Sequence, residues 1–389
     1  MRIREVMFKD FRSFRGERRI SFVNPVTEAV HPLTVLGGSN GCGKTTVLEA
    51  IEALLAFLIE PDKPKDLIRE AWDTGLIQMT LELSYQDYDN IVSRNEFKAW
   101  AGEMGDQVLL HIAVGRRDLA PESPDALWPN LFCEFRQRGS KGKPFRRLDQ
   151  EVAIALQKAV RAMLRGDVEM HGGLAFFPHD RRLGQNVKRR TLQAAPPKER
   201  QWLFKFYPSD RWEDSLESLW LWQDYLDLLH FRETGEKSRT NLAPFVELVE
   251  HTLGAERRIV ISTEEGRVQV PAYRQNSEEA QRFVSIDHLP SGEQQVVLMF
   301  GELARRVQRG AVIMIDEVEN SLHPALQQKV MWNLRRLARD WDAQFITTTH
   351  SREVIETSIG SGFINLDYPD EARFYHFEPD TEADREAAA

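Results

Sequence analysis

A chain of 389 residues, 42% hydrophobic and 29% charged, is too apolar to be disordered and long enough for two or three folding units of about 150 residues. No apolar run approaches the ~20 residues of a membrane helix and the first residues lack a signal-peptide core, so membrane passage and secretion are not expected, a permease carrying its own channel is excluded, and a cytoplasmic location is expected. The two cysteines, Cys42 and Cys133, form no CxxC or zinc cluster, and a net charge of -9 disfavours whole-surface binding to nucleic acid while leaving local basic patches for it.

Residues 2–8 and 19–23 alternate as strands about a turn at Gly16. Residues 33–37 read as a short buried strand running into glycines. A helix follows over 45–59, with Val47, Leu48, Ile51, Leu54, Leu55 and Leu58 on its apolar side. Strands at 76–85, 107–114 and 130–138 have no strong helical crossover between them, which predicts a small antiparallel sheet. Residues 149–164 form an amphipathic helix, and 174–178 a buried strand closed by Pro178. The basic stretch 185–208 gives no clear element. Helices are expected at 213–231 and 242–253, in a region crowded by Trp202, Phe204, Phe206, Tyr207, Trp212, Trp220 and Trp222. Strands 257–262 and 267–271 flank Glu265-Gly266, a hairpin signal. The last third alternates helix 291–306, strand 311–315, helix 325–339 and strand 344–349, before an acidic tail at 380–389 that frays.

Gly38-Ser39-Asn40-Gly41-Cys42-Gly43-Lys44-Thr45 fits G-x-x-x-x-G-K-[ST] between a predicted strand and a predicted helix, the context this motif requires. The glycines let the backbone curl so that N–H groups point at phosphate oxygens. The helix opening at Thr45 and Thr46 adds its positive dipole end. Lys44 would neutralise β/γ charge and the Thr45 hydroxyl would ligate Mg2+. ATP and Mg2+ are the expected cofactors. The apolar strand 311–315 leads into Asp316-Glu317. A strand that greasy is buried on both faces, as in a parallel sheet, and its carboxylates emerge at the edge where α/β ligands bind. Asp316 is placed to hold Mg2+ and Glu317 to polarise the attacking water. Alone, such a strand end is equally a solvated edge; its pairing with the phosphate loop decides for a site. The strand 344–349 ends at His350, placed to contact the γ-phosphate or to hold Glu317. Leu289-Pro-Ser-Gly-Glu-Gln-Gln opens a helix, where Ser291 reads as a cap with Gln294 three residues on, or as part of a phosphate ligand.

These pieces, at 38–45, 289–295, 311–317 and 350, resemble in their order the ABC-type ATPase heads. Phe8-Lys-Asp-Phe-Arg-Ser-Phe and Asp316-Glu-Val-Glu-Asn-Ser-Leu-His-Pro are similar to the SMC/RecF/OLD-like group and its AbiEii-like AAA ATPases of anti-phage defence. The resemblance covers 1–60 and 285–365. It implies an α/β fold, a split head with a P-loop sheet plus an antiparallel β subdomain, and a short helical arm inserted between the halves. The divisions would be an N-terminal lobe at 1–185, an aromatic-rich arm at 186–256 and a C-terminal lobe at 257–389. ATP would be hydrolysed between two heads arranged head to tail, or in a larger assembly. Ser291, Gly292 and Glu293 of one copy, with Arg12 and Gly38 to Thr46 of the other, would contact the nucleotide. Glu317 and His350 would be catalytic, and Thr45 and Asp316 would hold the metal. Pro290 replaces the family's first signature serine, and Val318 its proline. An arm of about 25–30 Å excludes a long coiled coil. The expected role is a switch or sensor subunit controlling a separate nuclease or toxin docked on the arm, since the 39 residues after His350 are too few for a TOPRIM domain. The alternative is a RecF-like DNA-binding repair ATPase, with the basic stretches 136–147 and 181–190 on a phosphate backbone or simply solvated.

Overall fold

The computed structural model describes residues 1–367 except 61–62, 88, 90–92, 102–105, 117–130, 136–144, 148–149, 166, 168–170, 184–200, 210, 237–238, 263–266, 274–280 and 359–361; at 97, 99–101, 131–135, 145–147, 150–155, 213 and 255 only the backbone is described. The basic stretches 136–144 and 184–190, the Glu265-Gly266 turn and the acidic tail lie outside the described residues.

The first half of the chain runs β1 (Arg2–Phe11), β2 (Phe14–Ser21), β3 (Leu33–Gly37), α1 (Lys44–Ile59), α2 (Asp66–Thr74), β4 (Leu76–Ser84), α3 (Arg94–Ala101), β5 (Gln107–Gly115), β6 (Leu131–Phe135), β7 (Phe145–Arg147), α4 (Gln150–Arg165) and β8 (Leu174–Phe177). The second runs β9 (Leu203–Lys205), α5 (Leu216–Thr234), α6 (Ala243–Leu253), β10 (Val260–Ser262), β11 (Arg267–Pro271), β12 (Phe283–Ser285), α7 (Ser291–Arg306), β13 (Val312–Ile315), α8 (Pro324–Asp340), β14 (Gln344–Thr348), α9 (Arg352–Ser358) and β15 (Phe363–Asn365). The strands form a mostly antiparallel sheet, β2-β1-β4-β5-β6-β7, a parallel sheet, β15-β3-β14-β13-β8-β9, and a small antiparallel sheet, β10-β11-β12.

The parallel sheet is drawn from both ends of the chain, and its apolar strands are buried on both faces. Val312 and Met314 of β13 face a core shared with α1 and the antiparallel sheet. Ile313 and Ile315 face a second core built with α5, α6, α7 and α8. This two-sided burial is the reason the strands read as continuous apolar runs rather than alternating ones. The sheets are also tied by polar contacts. The buried Gln344 side chain accepts from Ile3 N at 2.7 Å and donates to Ile3 O at 2.8 Å, satisfying a backbone pair where β1 bulges.

Two expectations change. β6 pairs with β5 in parallel, so the sheet is not wholly antiparallel. Parallel neighbours need a crossover connection rather than a tight turn. The helices expected to form an arm instead lie on the C-terminal half. Leu216 and Trp220 pack so closely on α7 that a Cβ at Gly301 would stand 2.8 and 3.1 Å from their side chains. Trp220 is fully buried, and Trp202, Phe204, Phe206 and Trp212 are buried too. They are core residues, so Trp220 cannot serve as a docking surface. In this region Tyr207, and Tyr225, Leu228 and Phe231 on the outer part of α5, are exposed. The sequence reading also missed α2, α3, α9, β7, β9, β12 and β15, which are three to nine residues long.

Trp220→Ala should cost about 3–5 kcal/mol, as expected for emptying a filled aromatic site. Tyr225→Ala, on the same helix, should stay within about 0.5 kcal/mol of the wild type. Chemical denaturation of the two variants checks the inversion of the expected surface.

Candidate functional site

The loop after β3 has the backbone its glycines permit. Gly38, Gly41 and Gly43 have φ of +138°, +81° and +104°, a region that side chains disfavour. At Gly43 a Cβ would come 2.5 Å from the Phe14 ring and 2.7 Å from Ser13 Oγ, so the β1–β2 turn walls the loop. Lys44 is buried and its ammonium donates to the Gly38 and Ser39 carbonyls, each at 2.8 Å. Ser39 is itself held: its N–H and its hydroxyl donate to the two carboxylate oxygens of Asp367, both at 2.7 Å. The Ser39 bonds, with Lys44 and His350, hold the Asp367 carboxyl below its ordinary range against the opposing effect of burial.

Asp316 leaves the end of β13 and points to the start of α1. The Thr45 hydroxyl donates to its carboxylate at 3.0 and 3.2 Å, the Thr348 hydroxyl donates at 2.6 Å, and His179 Nδ1 lies at 3.6 Å. Thr348 Oγ1 in turn accepts from Glu317 N at 2.8 Å. One hydroxyl therefore fixes both acidic residues. Glu317 has φ of +47°, a left-handed conformation that costs a non-glycine residue about 1–3 kcal/mol unless its surroundings hold it. Its neighbours do hold it. Arg181 donates from one nitrogen to Asp316 O at 2.5 Å and Pro178 O at 3.2 Å, and from another to Glu317 O at 2.8 Å. Burial pulls this guanidinium down to about 10, against the pull of Asp316, Glu319 and Glu317, so it stays protonated at neutral pH.

His350 is exposed at the end of β14, and its N–H donates to Glu319 Oε1 at 2.5 Å. The second glutamate of Asp-Glu-Val-Glu thus holds the backbone of the histidine. The structure brings together the loop 38–46, Asp316, Glu317 and His350. The element at 291–295 is turned elsewhere. Among the described residues its side-chain bonds run from Gln295 to Arg181 O and from Gln294 to Asp287 O and Leu289 O, with none to the phosphate loop. Glu293 is buried against Arg257 in an ion pair, so its carboxylate does not face a nucleotide. Pro290, not Ser291, takes the capping place of α7, without a side-chain bond. A Cβ at Gly292 would meet Ser321 O at 2.8 Å, so a side chain there disturbs the fold before it meets any phosphate. Arg12 donates to Glu49 and Glu70, at 2.8 to 3.1 Å, and ties β1 to α1 and α2. Its guanidinium is spent on those carboxylates rather than offered to the loop. Thr348, Glu319 and Asp367 were missed in the sequence, and Arg181 was given no structural role. Only Glu319 carried a signal, as the fourth residue of the acidic motif.

Residues 170–356 match the family described as "AAA domain, putative AbiEii toxin, Type IV TA system", and residues 5–95 match an "AAA domain" family. Solved structures similar to the chain include the SMC head bound to the C-terminal winged-helix domain of ScpA, at 14% identity, 94% of each chain and a TM-score of 0.47. The SMC head domain from Thermotoga maritima aligns at 13% identity over 94% of each chain with a TM-score of 0.42. The Smc head with an extended coiled coil, bound to the C-terminal domain of ScpA from Pyrococcus furiosus, aligns at 13% identity over 93% of this chain and 92% of that one, with a TM-score of 0.43. Among the described residues no helix is long and apolar enough to cross a membrane.

Thr348→Val should cost about 1–3 kcal/mol, because it strips a buried carboxylate of a donor and a buried N–H of its acceptor. Thr348→Ser keeps the hydroxyl and should recover most of that loss in urea denaturation.

Proposed function

We propose that this chain, an ATPase head of the ABC/SMC-like kind carried by two AAA-type matches, binds ATP with Mg2+, hydrolyses it between two copies arranged head to tail, and uses the cycle to switch a separate effector in an anti-phage defence complex. The observation that carries the reading is the meeting of the Thr45 hydroxyl with the Asp316 carboxylate, 271 residues apart in sequence, at the mouth of a glycine-shaped loop. A hydroxyl beside a carboxylate is a hard-oxygen pair of the sort Mg2+ accepts, with phosphate and water completing its shell. Such an ion would offset charge on the phosphates. Lys44 would leave the Gly38 and Ser39 carbonyls for the β/γ oxygens, and the free N–H groups of the loop would take the rest. Glu317 would orient the attacking water and accept its proton. His350, at the end of the neighbouring strand, would face the terminal phosphate.

The head-to-tail arrangement is supported by the element at 291–295. Its bonds lead away from the phosphate loop of its own chain, and α7 starts without a side-chain cap, leaving its first N–H groups open to an anion. A second copy would bring that anion as its bound nucleotide. Residues 1–185 and 257–389 would complete one head, with 186–256 packed on the second half. The defence setting rests on the AbiEii description of the matched family and on the Asp316 to Pro324 motif. The RecF-like alternative has lost one of its cations, since Arg181 is buried on backbone carbonyls.

Lys44→Ala should abolish MgATP binding in calorimetry, because the loop loses the charge that meets the β/γ-phosphates. Retained affinity with wild-type turnover would remove the loop from the reaction. Glu317→Gln should keep MgATP affinity and lose about 10²–10⁴-fold in turnover, the usual contribution of a general base. It should accumulate as a dimer or larger species in ATP by light scattering, and an effector encoded beside it should co-purify in that state. Full turnover with an unchanged mass in ATP would refute the role.

A further inference from the structure

Arg181 is an unusual buried charge. It is 3% exposed, and among the described residues its hydrogen bonds run to backbone carbonyls and not to a carboxylate. Its two terminal nitrogens reach the carbonyls on either side of Glu317, while Thr348 takes the Glu317 N–H and Asn320 N donates to the Glu317 carbonyl at 2.9 Å. Every backbone polar atom of the left-handed residue is therefore tethered, and Arg181 supplies the bridge that spans it. A planar guanidinium can hold two adjacent carbonyls at once, whereas an ammonium is a point charge. On its other side, Arg181 O accepts from Gln295 Nε2 at 3.0 Å, one turn into α7.

We propose that Arg181 is the positioning residue of the hydrolytic site: it fixes the backbone that aims Glu317 and passes the position of α7 to that backbone through Gln295. The inference rests on the ATPase reading above and adds a coupling to it. When the start of α7 meets the nucleotide of a second copy, a shift of the helix moves Gln295, then the 181 carbonyl, then the guanidinium that holds residue 317. Hydrolysis would then follow the docking of two heads, and nucleotide binding alone would leave Glu317 misaimed. Arg181 touches no substrate in this scheme; it acts through the backbone of another residue.

The test uses the full chain as wild type, Arg181→Met, Arg181→Lys, Gln295→Leu and Glu317→Gln. Arg181→Met should lower kcat by at least about thirtyfold and leave KM and the MgATP dissociation constant within about threefold, because only the aim of the base is lost. Arg181→Lys, which keeps one of the two carbonyl bonds, should recover part of kcat at the same KM. Gln295→Leu should lower kcat at an unchanged MgATP affinity and flatten the dependence of specific activity on protein concentration. In the Glu317→Gln background, Arg181→Met should remove little further turnover, since the two act as one unit. Arg181→Met with wild-type kcat, or with affinity and kcat falling together, overturns the proposal and leaves the ATPase reading standing. Additive losses with Glu317→Gln overturn it as well. If Arg181→Met fails to fold, Arg181→Lys and Gln295→Leu decide the matter by the same split of kcat from KM. A wild type that neither binds nor turns over MgATP defeats the ATPase reading itself, and this inference with it.

Discussion

A carboxylate that is 1% exposed must find hydrogen-bond donors inside the protein, and the site is organised by how Asp316 finds them. Thr45 brings the start of α1, Thr348 brings the end of β14, and the Asp316 N–H donates to Phe177 O on β8. Three strands and a helix are thus registered on one residue. The same hydroxyl that serves Asp316 also holds Glu317, so the two acids cannot shift independently. A metal arriving at Asp316 would compete with those hydroxyls and would alter the purchase on its neighbour.

The two halves of the chain meet on terms that make neither a self-sufficient unit. β3 and α1 come from the first half, yet among the described residues β3 pairs only with β14 and β15. β13 pairs on its other side with β8, from the end of the first half. The Gln344–Ile3 clamp fastens the antiparallel sheet to the same assembly. A parallel sheet shared in this way behaves as one cooperative core, because removing either half strips the remaining strands of neighbours and of the cover on one apolar face.

The parts of this design that the sequence announced are those governed by local rules. The loop 38–45 was legible because glycine is nearly compulsory where φ is positive and the backbone must approach a ligand. The strand 312–315 was legible because two-sided burial leaves no polar position in it. What stayed hidden were the partners chosen by tertiary contact. Arg181 stood at the edge of a basic stretch with nothing to show that it is buried, Thr348 lay in a buried strand with no role of its own, and Asp367 was not singled out. The aromatic region misled for a related reason. Trp220 and Tyr225 are alike in type and differ only in which face of α5 meets α7, and a helix with apolar groups all round gives no face to read. The parallel pairing of β6 was likewise invisible, because strand direction depends on the path of the connection and not on the strand itself.

The placing of β3 also sets a clock. Its partners begin at Phe345 and Phe363, about three hundred residues downstream of Leu33 and Val35. At about 5–20 residues per second on a ribosome, the strand that carries the phosphate loop emerges roughly 15–60 s before any strand exists to pair with it. Through that interval Leu33, Val35 and Leu36 form an apolar segment with unpaired edges, a natural client for a chaperone. The bonds that tie the start of α1 to β13 and β14 are missing through the same interval, because Asp316 and Thr348 have yet to be made. The sheet around this loop is therefore closed only late in synthesis, and a chain truncated before Phe345 leaves β3 with neither of these two partners.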